Sequence, residues 1–211
     1  MRKTFLSLAT LVLIASPAFA GEKSKFNKKV NIGDKAPTFA GIPATTPKGE
    51  EASLSLKDIK EEVVVLVFLG NHCPVVTDYE DRIQQFVDDV KGKSVKVVAV
   101  AVTGGSARET DNLDKIKARL KPGEKSFNYT YGFDDSQQIG RDYGAYATPQ
   151  FFVLDKDRTI RYMGSLDDSP RSEKNVKKTF VKDAVDALLS GKAVSVTETK
   201  AIGCGITYDR K

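Results

Sequence analysis

The sequence predicts an α/β fold with a central mixed β-sheet flanked by helices, and three observations carry that prediction. A continuous apolar run from Val63 to Leu69, rich in β-branched residues, is followed within a few residues by an amphipathic helical pattern from Pro74. That is how a strand buried on both faces and its crossover helix read. The pairing recurs in Val95 to Val102 and Arg108 to Leu120. Two further strands, joined by a short turn-forming link, then precede a last helical pattern, so that strand and helix units are closed by a hairpin and a helix.

Residues 1–20 stand apart from this pattern. Arg2 and Lys3 are followed by an apolar core from Phe5 to Ser16 and by Ala18-Phe19-Ala20 before Gly21, the three-part layout of a secretory signal peptide cleaved after Ala20. The apolar core is shorter than the roughly 20 residues that span a bilayer, and no later stretch is apolar enough to do so. The expected protein is therefore exported, periplasmic or extracellular, and not membrane-spanning. Residues 21–30 are polar and Lys-rich and read as a flexible lead. Residues 31–195 form one domain, a length that buries a good core, and residues 196–211 form a C-terminal tail.

Each element has its local reason. Gly70 and Asn71 end the first buried strand, and Val75, Tyr79, Ile83, Phe86, Val87 and Val90 then recur at helical spacing opposite Asp78, Glu80, Asp81 and Arg82. Pro74 suits the first helical turn, where its missing N–H would be unpaired anyway. In the next helix Leu113, Ile116 and Leu120 share a face. Asp135 with Gln138 reads as a capping box that opens a short helix running to Tyr143. Phe151 to Leu154 and Thr159 to Met163 are strands joined by Asp155-Lys156-Asp157-Arg158. The last helix is expected to start near Ser169-Pro170, to carry Val176, Phe180, Ala184, Val185, Leu188 and Leu189, and to end at Gly191.

Charge narrows the function classes. The full chain carries a formal +5, which falls to +3 once Arg2 and Lys3 leave with the signal. Lys and Arg are interspersed with acids and form no aromatic-interleaved basic stripe, which argues against nucleic acid as a partner.

The chemistry centres on two cysteines, Cys73 and Cys204. Cys73 is placed at a helix N-terminus, where the partial positive charge and free backbone N–H groups favour thiolate over thiol. Cys204 lies in the tail between Gly203 and Gly205, and glycines let a backbone approach a site closely. In an oxidising compartment the pair could be a permanent staple, could cycle with Cys204 resolving what Cys73 attacks, or could remain as separate thiols. Closing a loop of about 130 residues would stabilise the fold by about 4 to 5 kcal/mol on chain entropy. His72, the only histidine, is either a base and charge that tunes the neighbouring thiol or a loop residue that only adjusts polarity.

Other candidates read more plainly. Asp134-Asp135 and Asp167-Asp168 each precede an expected helix, where carboxylates cap free N–H groups. Gly104-Gly105-Ser106 lacks the Lys-Ser/Thr ending of a phosphate loop and reads as a turn. One His beside one Cys falls short of a zinc or copper ligand set, so no metal and no cofactor is expected.

The strand-helix order, ending in a hairpin and helix, is the thioredoxin arrangement. The run Val65-Leu66-Val67-Phe68-Leu69-Gly70-Asn71-His72-Cys73-Pro74, followed by Tyr146-Ala147-Thr148-Pro149-Gln150-Phe151-Phe152-Val153-Leu154-Asp155, resembles the redoxin and thiol-specific-antioxidant branch (AhpC/TSA) of the thioredoxin-like superfamily. Ile32 to Phe39 and Leu54 to Asp58 look like the opening strands of redoxins. Gly164 to Asp168 and Ile202 to Ile206 look like a subgroup with Asn-His-Cys-Pro at the reactive position. The likeness covers residues 31–207. From sequence alone Thr148-Pro149 would be a trans turn; the resemblance implies a cis proline facing the reactive Cys, with the preceding backbone free to bind an extended peptide or thiol substrate and with Pro74, Thr148 and Pro149 as substrate-binding residues.

Departures from the family limit what it implies. Cys73-Pro74-Val75-Val76 lacks the second cysteine of a C-x-x-C centre, and Val67 stands where thioredoxin carries a buried acid. Gly70 stands where peroxiredoxins place a hydroxyl three residues before the nucleophile. The expected function is a thiol-based oxidoreductase with Cys73 as nucleophile, acting on a protein or small disulfide or on a peroxide, and recharged by a reductant the sequence does not name. A redox-inactive binding module on the same fold is the alternative, and a metal carrier the third class.

Overall fold

The computed structural model describes residues 23–210 apart from 122 and 125. The expected signal peptide thus lies outside the described residues. The predicted α/β architecture is observed. Among the described residues one mixed sheet has seven strands in the order β2-β1-β5-β4-β3-β7-β8: β1 (Ile42–Thr45), β2 (Glu51–Leu54), β3 (Val63–Phe68), β4 (Val95–Ala101), β5 (Thr130–Phe133), β7 (Gln150–Leu154) and β8 (Ile160–Gly164). β3, β4 and β5 run parallel, while β7 is antiparallel to β3 and pairs Val67 with Phe151.

The Val-rich run is central because it can be buried twice over. Val63, Val65 and Val67 face α1 (Pro74–Asp89) and α5 (Phe180–Leu189), packing with Tyr79, Ile83, Phe86, Val181, Ala184 and Val185. Val64, Leu66 and Phe68 face the opposite layer, with Tyr143, Phe152 and the N-terminal Val30 and Phe39. In the lead before β1, Asn27 is buried and its Nδ2 donates to the Tyr143 carbonyl at 2.7 Å.

Several boundaries differ from the sequence pattern, each for a local reason. The expected helix over 108–120 is two short ones, α2 (Arg108–Asp111) and α3 (Leu113–Ala118), because extended Asn112 interrupts it and caps the second by accepting from Lys115 N at 3.0 Å. α4 (Gln138–Tyr143) is not opened by Asp135: Gln137 is its N-cap, and the carboxylate of Asp134 accepts from Ser136 N and Ile139 N. The last helix starts at Phe180, not near Ser169, since residues 169–179 are tied down by Asp168 accepting from Lys177 N and Lys178 N. Ile32 to Phe39 contributes an isolated bridge between Lys35 and Thr159 rather than a strand, and Leu56–Asp58 is a 3-10 turn; the opening strands are β1 and β2.

The tail folds back onto the body. β6 (Ala147–Thr148) and β9 (Cys204–Gly205) form a separate antiparallel pair in which Ala147 faces Gly205 and Thr148 faces Cys204. Among the described residues no helix is long and apolar enough to cross a membrane.

Candidate active site

Two chain reversals build the site. β3 ends at Phe68, the Cys73 N–H bonds back to the Gly70 carbonyl at 3.1 Å, and α1 begins at Pro74 with Cys73 as its N-cap. Opposite, the peptide between Thr148 and Pro149 is cis, which turns the Thr148 carbonyl toward the helix end. The Cys73 thiol donates to that carbonyl at 3.0 Å and is fully buried.

Cys204 arrives by strand pairing. Standing opposite Thr148 in the β6–β9 register, this part-exposed residue brings its sulfur against the Cys73 thiol and the N-terminal turn of α1. Burial pushes the Cys204 thiol up to about 11, helped by its hydrogen bond with Cys73 and by that group's charge, while the Val75 backbone N–H opposes the rise. An anionic sulfur next to a second sulfur is disfavoured; the free N–H at the helix start favours it. Both cysteines are free thiols here.

Gly203 makes this approach possible. A Cβ at that position would overlap the Thr148 carbonyl and sit 3.1 Å from Pro149 N. The tail backbone therefore lies against the cis-proline turn at a distance only glycine tolerates.

His72 is part-exposed and bonds to a residue the sequence pattern did not single out. Asp111, fully buried at the end of α2, accepts from the His72 backbone N–H at 3.2 Å through one oxygen and bonds ring Nδ1 at 2.7 Å through the other. A carboxylate on Nδ1 fixes the orientation of the ring and favours a proton on that nitrogen. Thioredoxin's buried acid comes from the strand; here a buried acid reaches the same turn from α2. An acid on a short polar helix gives no sequence sign of this, because the contact exists only once β4 and β3 are parallel neighbours.

A second buried cluster holds the helix from the other side. Arg82 pairs with Asp167 and donates to the carbonyls of Ser169 at 3.0 Å and Pro170 at 3.1 Å, while its guanidinium lies 4.2 Å from the Tyr79 ring centroid. Asp167 was expected to cap a helix; instead it neutralises Arg82 and accepts from Ser169 N and Tyr79 OH. Pro74 is exposed beside Cys73, and Thr148 and Pro149 are buried behind it. The structure thus brings together Cys73, Cys204, Pro74, Thr148 and Pro149, while the His72 ring is held by Asp111. Among the described residues no group of three or more His, Cys, Asp or Glu side chains is placed to hold a metal ion.

This arrangement has relatives. A sequence profile of the AhpC/TSA family matches residues 32–163. The thiol-disulfide oxidoreductase ResA of Bacillus anthracis is 27% identical over 161 residues, which cover 75% of this chain and 85% of that protein. A crystal structure of a hypothetical protein from Sinorhizobium meliloti 1021 superposes with a TM-score of 0.75 at 29% identity, covering 88% of this chain and 98% of that one. The reduced 2-Cys peroxiredoxin of Plasmodium vivax, at 17% identity and a TM-score of 0.58 over 75% of this chain and 82% of that one, shares the fold. With the profile spanning β1 to β8 and the reactive turn at its expected place, the chain belongs to the AhpC/TSA family and has its thioredoxin-like fold.

Proposed function

We propose that this protein is an exported thiol-disulfide oxidoreductase whose Cys73 and Cys204 alternate between dithiol and disulfide. The observation that carries the reading is the seating of Cys204 on the Cys73 thiol by strand pairing through Thr148. The name of the ResA relative supports the reaction class, and the signal-like pattern of residues 1–20 supports export.

The cycle runs as thiol-disulfide exchange. Cys73 thiolate attacks one sulfur of a substrate disulfide R–S–S–R; that S–S bond breaks, one R–S⁻ leaves and takes a proton, and the other stays bonded to Cys73. The Cys204 thiolate then attacks Cys73 Sγ, the mixed disulfide breaks, the second R–S⁻ leaves, and the Cys73–Cys204 disulfide remains. Two electrons have passed from the protein to the substrate, and a dithiol reductant restores both thiols. Burial is the main cause of the high Cys204 value; in the mixed disulfide Cys73 no longer adds its charge and hydrogen bond to it, which lowers the barrier to the second attack. His72, fixed by Asp111, sets the polarity of the turn that carries Cys73. Pro74, Thr148 and Pro149 form the wall against which the substrate sulfur is presented.

Peroxide reduction is the weaker use of the same pair, since Gly70 replaces the hydroxyl that would orient a peroxide. The full burial of Cys73 favours a second reading, a binding module with an inert thiol. Turnover of a small disulfide with a dithiol donor separates them. Wild type turns over, Cys73→Ser is inactive but folded, and Cys204→Ser gives one burst with a trapped adduct on Cys73. Undiminished turnover in Cys73→Ser, or a wild-type protein that reduces peroxide and no disulfide, would overturn the proposal.

A further inference from the structure

The tail does more than deliver a cysteine. β6 is two residues long, and its backbone edge beside the cis-proline is taken up by β9, with the Ile206 N–H extending the pairing to the Tyr146 carbonyl at 3.1 Å. An extended polypeptide adding to this edge would need the groups β9 already uses.

The occupied stretch is clamped at both ends. Upstream, the Thr199 N–H donates to the Met163 carbonyl at 3.0 Å, Ser165 Oγ donates to the Lys200 carbonyl at 2.9 Å, and the Ala201 N–H donates to Tyr146 OH at 2.9 Å. Downstream, the Thr207 carbonyl accepts from Gly104 N at 2.9 Å and Gln137 Nε2 at 2.8 Å, and Asp209 pairs with Arg108 at 2.7 Å. Tyr208 OH donates to the Ala145 carbonyl at 2.8 Å. Between the clamps, Ile202, Gly203 and Gly205 are exposed and Cys204 is part-exposed, whereas Cys73 beneath them has no exposed surface. Of the two cysteines, only the tail's reaches the surface.

We infer that residues 201–209 are a fixed filter, a strand of the chain's own that occupies the peptide edge at the cysteine pair, so that the centre admits small disulfides beside Cys204 and excludes extended polypeptide disulfides. This deepens the oxidoreductase reading by naming a substrate class, and it rests on that reading for its catalytic meaning. The barrier itself is geometric. It makes Gly203 a specificity-determining position, because any side chain there collides with the Thr148 carbonyl and lifts the strand off β6.

The test separates barrier from chemistry. In a Cys204→Ser background Cys73 is the only thiol, and it is labelled in parallel with iodoacetamide and with a maleimide carried on an extended decapeptide. The filter predicts that Gly203→Val in this background raises the peptide reagent's rate by about tenfold or more relative to iodoacetamide, by opening a locally protected site. Tyr208→Ala with Asp209→Ala, which loosens the downstream clamp, serves the same purpose if the valine variant does not fold. An unchanged ratio in both release variants overturns the filter. In the second arm, unmodified protein is given a small disulfide and a polypeptide disulfide with the same dithiol donor. Turnover of the small one alone supports the filter, and equal turnover overturns it. Turnover of neither defeats the oxidoreductase reading, while the labelling ratio still decides whether the tail bars the edge.

Discussion

Cys204 lies directly opposite Thr148 in the β6–β9 pair, and the Thr148 carbonyl is the acceptor of the Cys73 thiol. One backbone residue thus registers both sulfurs. Mild oxidation is expected to form an intramolecular disulfide without rebuilding the fold. Intact mass should fall by two hydrogens and both thiols should become inert to alkylation. The oxidised form should be more stable to urea than the reduced form by up to about 4 to 5 kcal/mol, because the loop closed in the unfolded chain is long. Oxidation that yields only intermolecular dimers would contradict this geometry.

The acidity of Cys204 gives a pH prediction. With its thiol pushed up to about 11 by burial first and by Cys73 second, Cys204 stays protonated through neutrality. Its alkylation in the reduced protein should keep rising past pH 10, where an ordinary thiol has levelled off. Cys73→Ala removes the partner's hydrogen bond and charge, so the alkylation midpoint should move down, with burial holding it above that of an ordinary thiol. The same shift has a sign for stability: the folded state binds the proton more tightly, so this contribution is present below the unfolded thiol's pKa and is lost as pH rises toward 11.

Asp111→Asn tests the hold on the reactive turn. The amide can accept from either the backbone N–H or the ring of His72, not both, and its NH2 then faces a donor; about 1 to 3 kcal/mol of stability should go with it. Because His72 is the only histidine, the ¹⁵N signals of a single imidazole report its tautomer. Wild type should show Nδ1 protonated, and the variant a mixture.

Arg82 and Asp167, 9% and 4% exposed, form a nearly dry ion pair between α1 and the loop after β8. Removing one partner leaves a buried charge, so Asp167→Ala should cost about 3 to 5 kcal/mol in chemical unfolding. Arg82→Met with Asp167→Ala should cost less than the single change.

Sequence reading recovers the parts of this fold whose burial is periodic. The Val63 to Leu69 run, the apolar stripe of α1 and the hairpin of β7 and β8 announce themselves because each buries a patterned face. The two-residue strands β6 and β9 carry no pattern. Their pairing is fixed by a cis turn and by Gly203, which is legible only as freedom to come close. Asn112 breaks a helix that Leu113, Ile116 and Leu120 would otherwise continue, since its side chain competes for the backbone. Of the site, Cys73 and its helix end were readable in full. Asp111 was not, because its meaning depends on a residue far along the chain being brought next to His72.

The clamped tail also sets how the covered sulfur can be reached. Cys73 is buried beneath a strand whose hydrogen bonds to the body lie on both sides of Cys204, so the tail has to come away as a unit before an outside reagent meets that thiol. The speed of Cys73 labelling is then a clock for tail release, set by the contacts of Ala201 and Tyr208 and not by the chemistry of the sulfur.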